Sequence, residues 1–198
     1  MSTVATSRVT HEQFFALCEH SELGFEYVAG DVVAMARGNY RHAALVSELG
    51  RRIGNATQEG SCRSFTNSLS VYIDSADAIR TPDVVAACPP NVIDAAQGLI
   101  DNPVILVEIT SPTTRAVDHS DKLREYASLP SVRHYVLVDS EAMHVQMFSR
   151  HEDGTWRLEF LTRPEECIVL PMLSLSLTLA EIYEGVTFAP AEDSTDSV

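Results

Sequence analysis

The chain has 198 residues, 28 acidic against 14 basic side chains, a formal net charge of −14 and 45% hydrophobic residues. That length supports one domain with a sizeable core, and the apolar fraction is ordinary for a globular protein. The acidic excess excludes a surface that grips nucleic acid by overall charge, and no apolar stretch approaches the ~20 residues needed to span a bilayer.

In chain order, Thr10 and Gln13 form a capping box for a short helix ending near His20, with Phe14, Phe15, Leu17 and Cys18 as its apolar stripe. Residues 25–28 and 32–35 read as two strands of a hairpin around Gly30-Asp31, with Glu26 inside the first. Leu45, Leu49, Ile53 and Ala56 recur at helical spacing and predict a long helix over residues 41–58. Leu69, Val71 and Ile73 alternate with polar neighbours, so residues 63–74 read as one strand with a buried face. Asp77 and Pro82 then mark a turn into the strand that starts at Asp83, and residues 89–101 read as a surface loop or short helix.

The apolar run from Val104 to Val107 ends in Glu108 and breaks at Ser111-Pro112, the pattern of a buried strand with an acid at its rim. A helix capped by Asp118 or Ser120 and ended by Pro130 leads to a second buried strand, Tyr135 to Asp139. Such a strand, helix, strand unit predicts parallel pairing, with a site at the strand ends. A hairpin over residues 143–161 turns at Asp153-Gly154, a short helix spans residues 178–183, and the Asp- and Ser-rich residues 189–198 are expected to be a disordered tail.

Four cysteines, Cys18, Cys62, Cys88 and Cys167, lack any CxxC pair, so reduced thiols in a cytoplasmic protein are expected. Residues 1–7 lack the charged and apolar regions of a secretory signal, and no membrane association is expected. The histidines show neither HxH nor HExxH spacing, and no glycine-rich phosphate loop or GxSxG elbow is present.

The chemistry therefore concentrates in Asp83, Glu108 and Lys122. Two carboxylates with a nearby ammonium suit a divalent metal and the phosphate it activates, a nuclease-like constellation. Glu108 needs a partner, because an unpaired acid beside Val104 to Val107 meets a desolvation penalty. Lys122 has a competing reading as an i, i+4 partner of Asp118 on a solvated helix face. Tyr126 shares the Lys122 face and reads as a packing residue with a wet hydroxyl before it reads as a catalyst, and His42 beside Arg41 reads as a helix-start surface pair before it reads as a phosphate edge.

The order and spacing of these residues resemble the Uma-two family of the PD-(D/E)XK nuclease superfamily. The resemblance covers nearly the whole chain and rests on residues 25–35, His42, Pro82-Asp83-Val84-Val85, residues 107–114, Asp118 to Lys122 with Tyr126, and residues 135–139. It implies an α/β fold with a restriction-endonuclease-like core in residues 1–188, a mixed central β-sheet flanked by helices and extra N- and C-terminal β-hairpins. It implies that Asp83 and Glu108 hold Mg, with Mn able to substitute. The superfamily's lysine two residues after the second acid is absent, since Thr110 stands there, and the resemblance implies that Lys122 on the following helix substitutes for it. Glu26 resembles an additional acid of the metal shell, and Asp118 is placed to position Lys122.

The resulting expectation is a homodimeric, metal-dependent endonuclease that hydrolyses phosphodiester bonds in DNA, binding it weakly without metal through Arg37, Arg41, Arg51, Arg52, Arg63 and Arg115. The other reading is a binding or regulatory module that keeps the nuclease fold without turnover. The acidic charge and the missing lysine at position 110 favour it.

Overall fold

A computed structural model describes residues 8–36, 38–110 and 121–188. Helix α1 (His11–Glu19) opens with the expected capping box: Gln13 donates its backbone N–H to Thr10 Oγ1, and Thr10 donates its own to Gln13 Oε1. Strands β1 (Phe25–Val28) and β2 (Asp31–Ala34) form the first hairpin. Its two-residue turn is Ala29-Gly30, one position earlier than expected, and both residues have positive φ, 48° and 96°, as a twist-matched hairpin turn requires. Helix α2 (Tyr40–Ala56) is capped by Asn39, which accepts the His42 N–H, and buries Leu45, Val46, Leu49 and Ile53.

The single strand expected over residues 63–74 is two: β3 (Arg63–Thr66) and β4 (Ser70–Ile73) lie in different sheets. The chain changes sheet at Asn67, left-handed at φ 52°, whose N–H donates to the Asp83 carbonyl. Where a turn was expected before Asp83, β5 (Ala78–Arg80) intervenes and β6 (Val84–Ala87) follows. Residues 89–101 contain β7 (Val92–Asp94) and β8 (Leu99–Ile100) rather than a loop or helix. All of β7 is exposed, so it carries no alternation to read.

Next come β9 (Pro103–Thr110), helix α3 (Leu123–Ser128) and β10 (His134–Asp139), with β9 and β10 parallel as expected. Strands β11 (Val145–Arg150), β12 (Trp156–Leu161), β13 (Cys167–Leu170) and β14 (Leu175–Thr178) precede α4 (Leu179–Ile182). The Asp118 or Ser120 cap and the tail over residues 189–198 lie outside the described residues.

The strands make two mixed six-stranded sheets, in the orders β2-β1-β5-β4-β8-β7 and β12-β11-β10-β9-β6-β3, and a separate hairpin of β13 and β14. The N-terminal hairpin is thus built into a full second sheet, and the 143–161 hairpin supplies the two strands at one edge of the central sheet. One face of the central sheet packs on α2 and α4 through Leu45, Leu49, Ile53, Val107, Val136 and Ile182. Its other face meets β4, β5 and α3 through Val71, Ile73, Leu106, Tyr126 and Tyr135. Helix α1 covers the second sheet with Phe14 against Tyr27 and Ile79. Strands β6 and β9 are buried along their whole length, hence their continuous apolar runs.

The expectation of four reduced cysteines is corrected: Cys62 and Cys88 are disulfide-bonded, while Cys18 and Cys167 are free. Cys62 and Cys88 flank the pair Arg63 and Ala87 in the β3–β6 register, so sheet pairing aligns thiols 26 residues apart in sequence. Among the described residues no helix is long and apolar enough to cross a membrane.

Candidate active site

Glu108 alternates along β9 onto the face of Leu106, which packs with Tyr126, Tyr135 and Leu137. It is 5% exposed, so its carboxylate requires partners there. Helix α3 supplies them from one face. Lys122, at its N-terminal boundary, holds Nζ 3.0 Å from Glu108 Oε1, and Tyr126 donates its hydroxyl to the same oxygen at 3.1 Å. Lys122 Nζ also lies 3.1 Å from Glu26 Oε1 on β1. Burial, and then the charges of Glu108 and Glu26, push the Tyr126 pKa well above its ordinary value, so the phenol stays a neutral donor.

Asp83 stands one residue beyond the paired positions Val84 and Val107, opposite Glu108. Its Oδ2 accepts the Ile109 N–H at 2.7 Å, and its Oδ1 lies 3.2 Å from His42 Nε2. That hydrogen bond raises the His42 pKa against the opposing effect of burial. The fold therefore gathers Glu26, Glu108, Lys122 and Tyr126 in direct contact and ties His42 to Asp83 at the adjoining strand end. Asp118 lies outside the described residues.

Two buried residues of this cluster escaped the sequence reading. Arg80 on β5 donates Nε and one terminal nitrogen to the Glu125 carboxylate at 2.7 and 2.8 Å, and its other terminal nitrogen to Glu26 Oε2 at 2.8 Å. Burial opposes the Arg80 charge, but Glu125 and Glu26 outweigh it and raise its pKa. The available clue was a cation ending the apolar pair Ala78-Ile79, two residues before Pro82. Its acids, 54 and 45 residues away, become neighbours only in the fold.

Among the described residues, no three His, Cys, Asp or Glu side chains gather into a group that could hold a metal. Asp83 and Glu108 nevertheless fit magnesium by chemistry: they offer only oxygen, and Mg is commonly held by one or two carboxylates with water and substrate phosphate completing its shell. Charge agrees with this. Among the described residues, Glu26, Glu108 and Glu125 outnumber Arg80 and Lys122 by one in the linked network, and Asp83 adjoins it.

The arginines expected to meet DNA are engaged elsewhere. Arg41 pairs with Glu141, Arg51 with Glu48, and Arg52 with Glu48, Glu181 and Glu184, while Arg63 donates to the Gly60 and Cys62 carbonyls. Arg37 and Arg115 lie outside the described residues.

Residues 11–180 match the model of the Uma-two family, Uma2, described as "Putative restriction endonuclease". The chain belongs to this family. An uncharacterized Synechocystis protein is 28% identical over 181 residues, covering 91% of this chain and 94% of that protein. A second uncharacterized Synechocystis protein is 24% identical over 160 residues, covering 80% and 90%. A crystal structure from Anabaena variabilis, described as "a putative nuclease belonging to DUF820", superposes with a TM-score of 0.70 at 18% identity, covering 90% of this chain and 99% of that one. That likeness establishes the fold, and the family match agrees with the restriction-endonuclease-like core expected for an Uma-two protein.

Proposed function

We propose that this Uma-two protein is a homodimeric, metal-dependent endonuclease that hydrolyses phosphodiester bonds in DNA. The observation that carries the reading is the Lys122 ammonium 3.0 Å from Glu108 Oε1, with Asp83 opposite Glu108 on the neighbouring strand. Asp83 and Glu108 would hold Mg or Mn, which when bound supplies Lewis acidity at the phosphate and lowers the pKa of an attacking water. Lys122 keeps a fixed positive charge where negative charge grows on the phosphate, so its effect falls on the transition state. Glu26 also holds Lys122, at 3.1 Å from its Nζ, and Arg80 holds Glu26. Tyr126 orients the Glu108 carboxylate, and His42, protonated to higher pH than an ordinary histidine, orients Asp83.

The engaged arginines and the net charge of −14 favour a second reading, a module that binds nucleic acid or regulates without cleaving. Calorimetric titration with Mg and Mn, with cleavage of a labelled DNA duplex measured alongside, separates the two. Wild type is expected to bind metal and cut; Asp83→Ala is expected to lose both, and Lys122→Met to retain metal while losing cleavage. Metal binding unchanged by Asp83→Ala, or cleavage unchanged by Lys122→Met, overturns the assignment, and metal binding without cleavage by wild type supports the second reading.

A further inference from the structure

We infer that the edge strand β12 is the dimer interface and pairs antiparallel with β12 of a second copy about a two-fold axis at Leu158. This deepens the homodimer reading and rests on it. Strand β12 ends the central sheet and pairs, among the described residues, only with β11. An edge left with open backbone groups and apolar side chains is a template for another strand. Here the large apolar side chains are Leu158, 42% exposed, and Phe160, 59% exposed.

The five residues Trp156-Arg157-Leu158-Glu159-Phe160 are the reason to commit to a second copy. Read in either direction they run aromatic, charged, leucine, charged, aromatic, and the two charges are opposite. In an antiparallel two-fold pairing centred on Leu158, each residue faces its mirror position. Arg157 meets the other copy's Glu159, Trp156 meets its Phe160, and Leu158 meets Leu158. Directly opposed residues of an antiparallel pair share a face, so aromatic and opposite-charge pairs form together, each of a type that stabilises sheets. An interface of this symmetry must be self-complementary, and this strand is. In the single chain Arg157 instead spans to its own Glu159 at 2.9 Å, leaving both charges near the edge.

The surface beside the strand has room for the aromatic. Leu123, Arg124, Ala127, Phe148, Trp156 and Leu158 line an open apolar groove of about 350 Å³ between α3 and the sheet. Trp156 is held in place there by the Arg150 guanidinium, 4.7 Å from its ring centroid. The same register brings the second copy's Phe160 to Trp156, on the groove side of the sheet, while each chain's own Phe160 stacks on its His144 away from the groove. Both Phe160 rings are buried at once by the two-fold.

Analytical ultracentrifugation of the full chain, with circular dichroism to check folding, tests the inference. Wild type is expected to sediment at twice 21.7 kDa. Arg157→Glu and Glu159→Arg should each become folded monomers, because each places like charges opposite one another, and the combined swap should restore the dimer. Leu158→Cys should form an intermolecular disulfide on mild oxidation, which Arg157→Cys should not, since only position 158 meets itself. A wild-type monomer overturns both the interface and the homodimer reading. A dimer indifferent to the single charge changes, or a Leu158→Cys chain that does not cross-link, overturns the interface alone and leaves the dimer on another surface.

Discussion

Two charge networks in this molecule use the same residue types under opposite conditions. In the cluster around Glu108, the side chains of Arg80, Lys122, Glu26 and Glu125 are at most 10% exposed, and among the described residues each cation touches two carboxylates. On α2, Arg51 reaches Glu48 with its own side chain 54% exposed, and Arg52 reaches Glu184, itself 69% exposed. Water screens the pairs made by Arg51 and Glu184 and leaves each worth little. It cannot screen the first, so each buried charge depends on its partners being present. The buried network is an obligate unit that fixes geometry, whereas the outer pairs of the α2 network, those of Arg51 and Glu184, are interchangeable surface contacts.

Removing Arg80 should break that contrast most visibly. Arg80→Met leaves Glu26 and Glu125 buried with one cation fewer, and a loss of about 3–5 kcal/mol is expected in urea unfolding at neutral pH. A loss below about 1 kcal/mol would place the cluster with the surface pairs. Tyr126→Phe is a smaller cut, removing one hydroxyl from a charged acceptor at a site with no exposure. It should cost about 1.5–3 kcal/mol by the same measurement. Arg51→Ala on α2 should change stability by no more than about 0.5 kcal/mol, and less at high salt.

The smallest effect is electrostatic and sits at the border between the two regions. His42 is only partly buried, and its hydrogen bond to Asp83 raises its folded pKa above the ordinary 6.5. The pair therefore contributes stability that is complete below the unfolded value and is lost as pH rises through the folded one. An NMR titration of the imidazole should show a midpoint above 6.5 that Asp83→Asn brings down. A midpoint at or below 6.5 in the wild type would mean that burial outweighs the carboxylate.

Much of this was legible along the chain. The Thr10 and Gln13 capping box, the α2 stripe, the apolar run into Glu108 and the i, i+4 spacing of Lys122 and Tyr126 are local patterns, set by periods of 3.6 and 2 residues. Glu108 declared its need for a partner because the residues that bury it precede it directly. The split of residues 63–74 was not legible, since two short strands in different sheets look like one alternating run until Asn67 is seen to turn. Strands β5, β7 and β8, of two or three residues, are too short to establish a period.

The sequence by itself determined which segments are apolar enough to be buried and that Glu108, left at the end of one of them, had to find a partner. Only the tertiary structure decided which partners meet. Glu26, Arg80, Glu108 and Glu125 come from β1, β5, β9 and α3, and the Cys62–Cys88 bond joins β3 to β6. Their partnerships depend on sheet order and register, which are settled by packing over the whole core, while burial and periodicity are properties of a few consecutive residues.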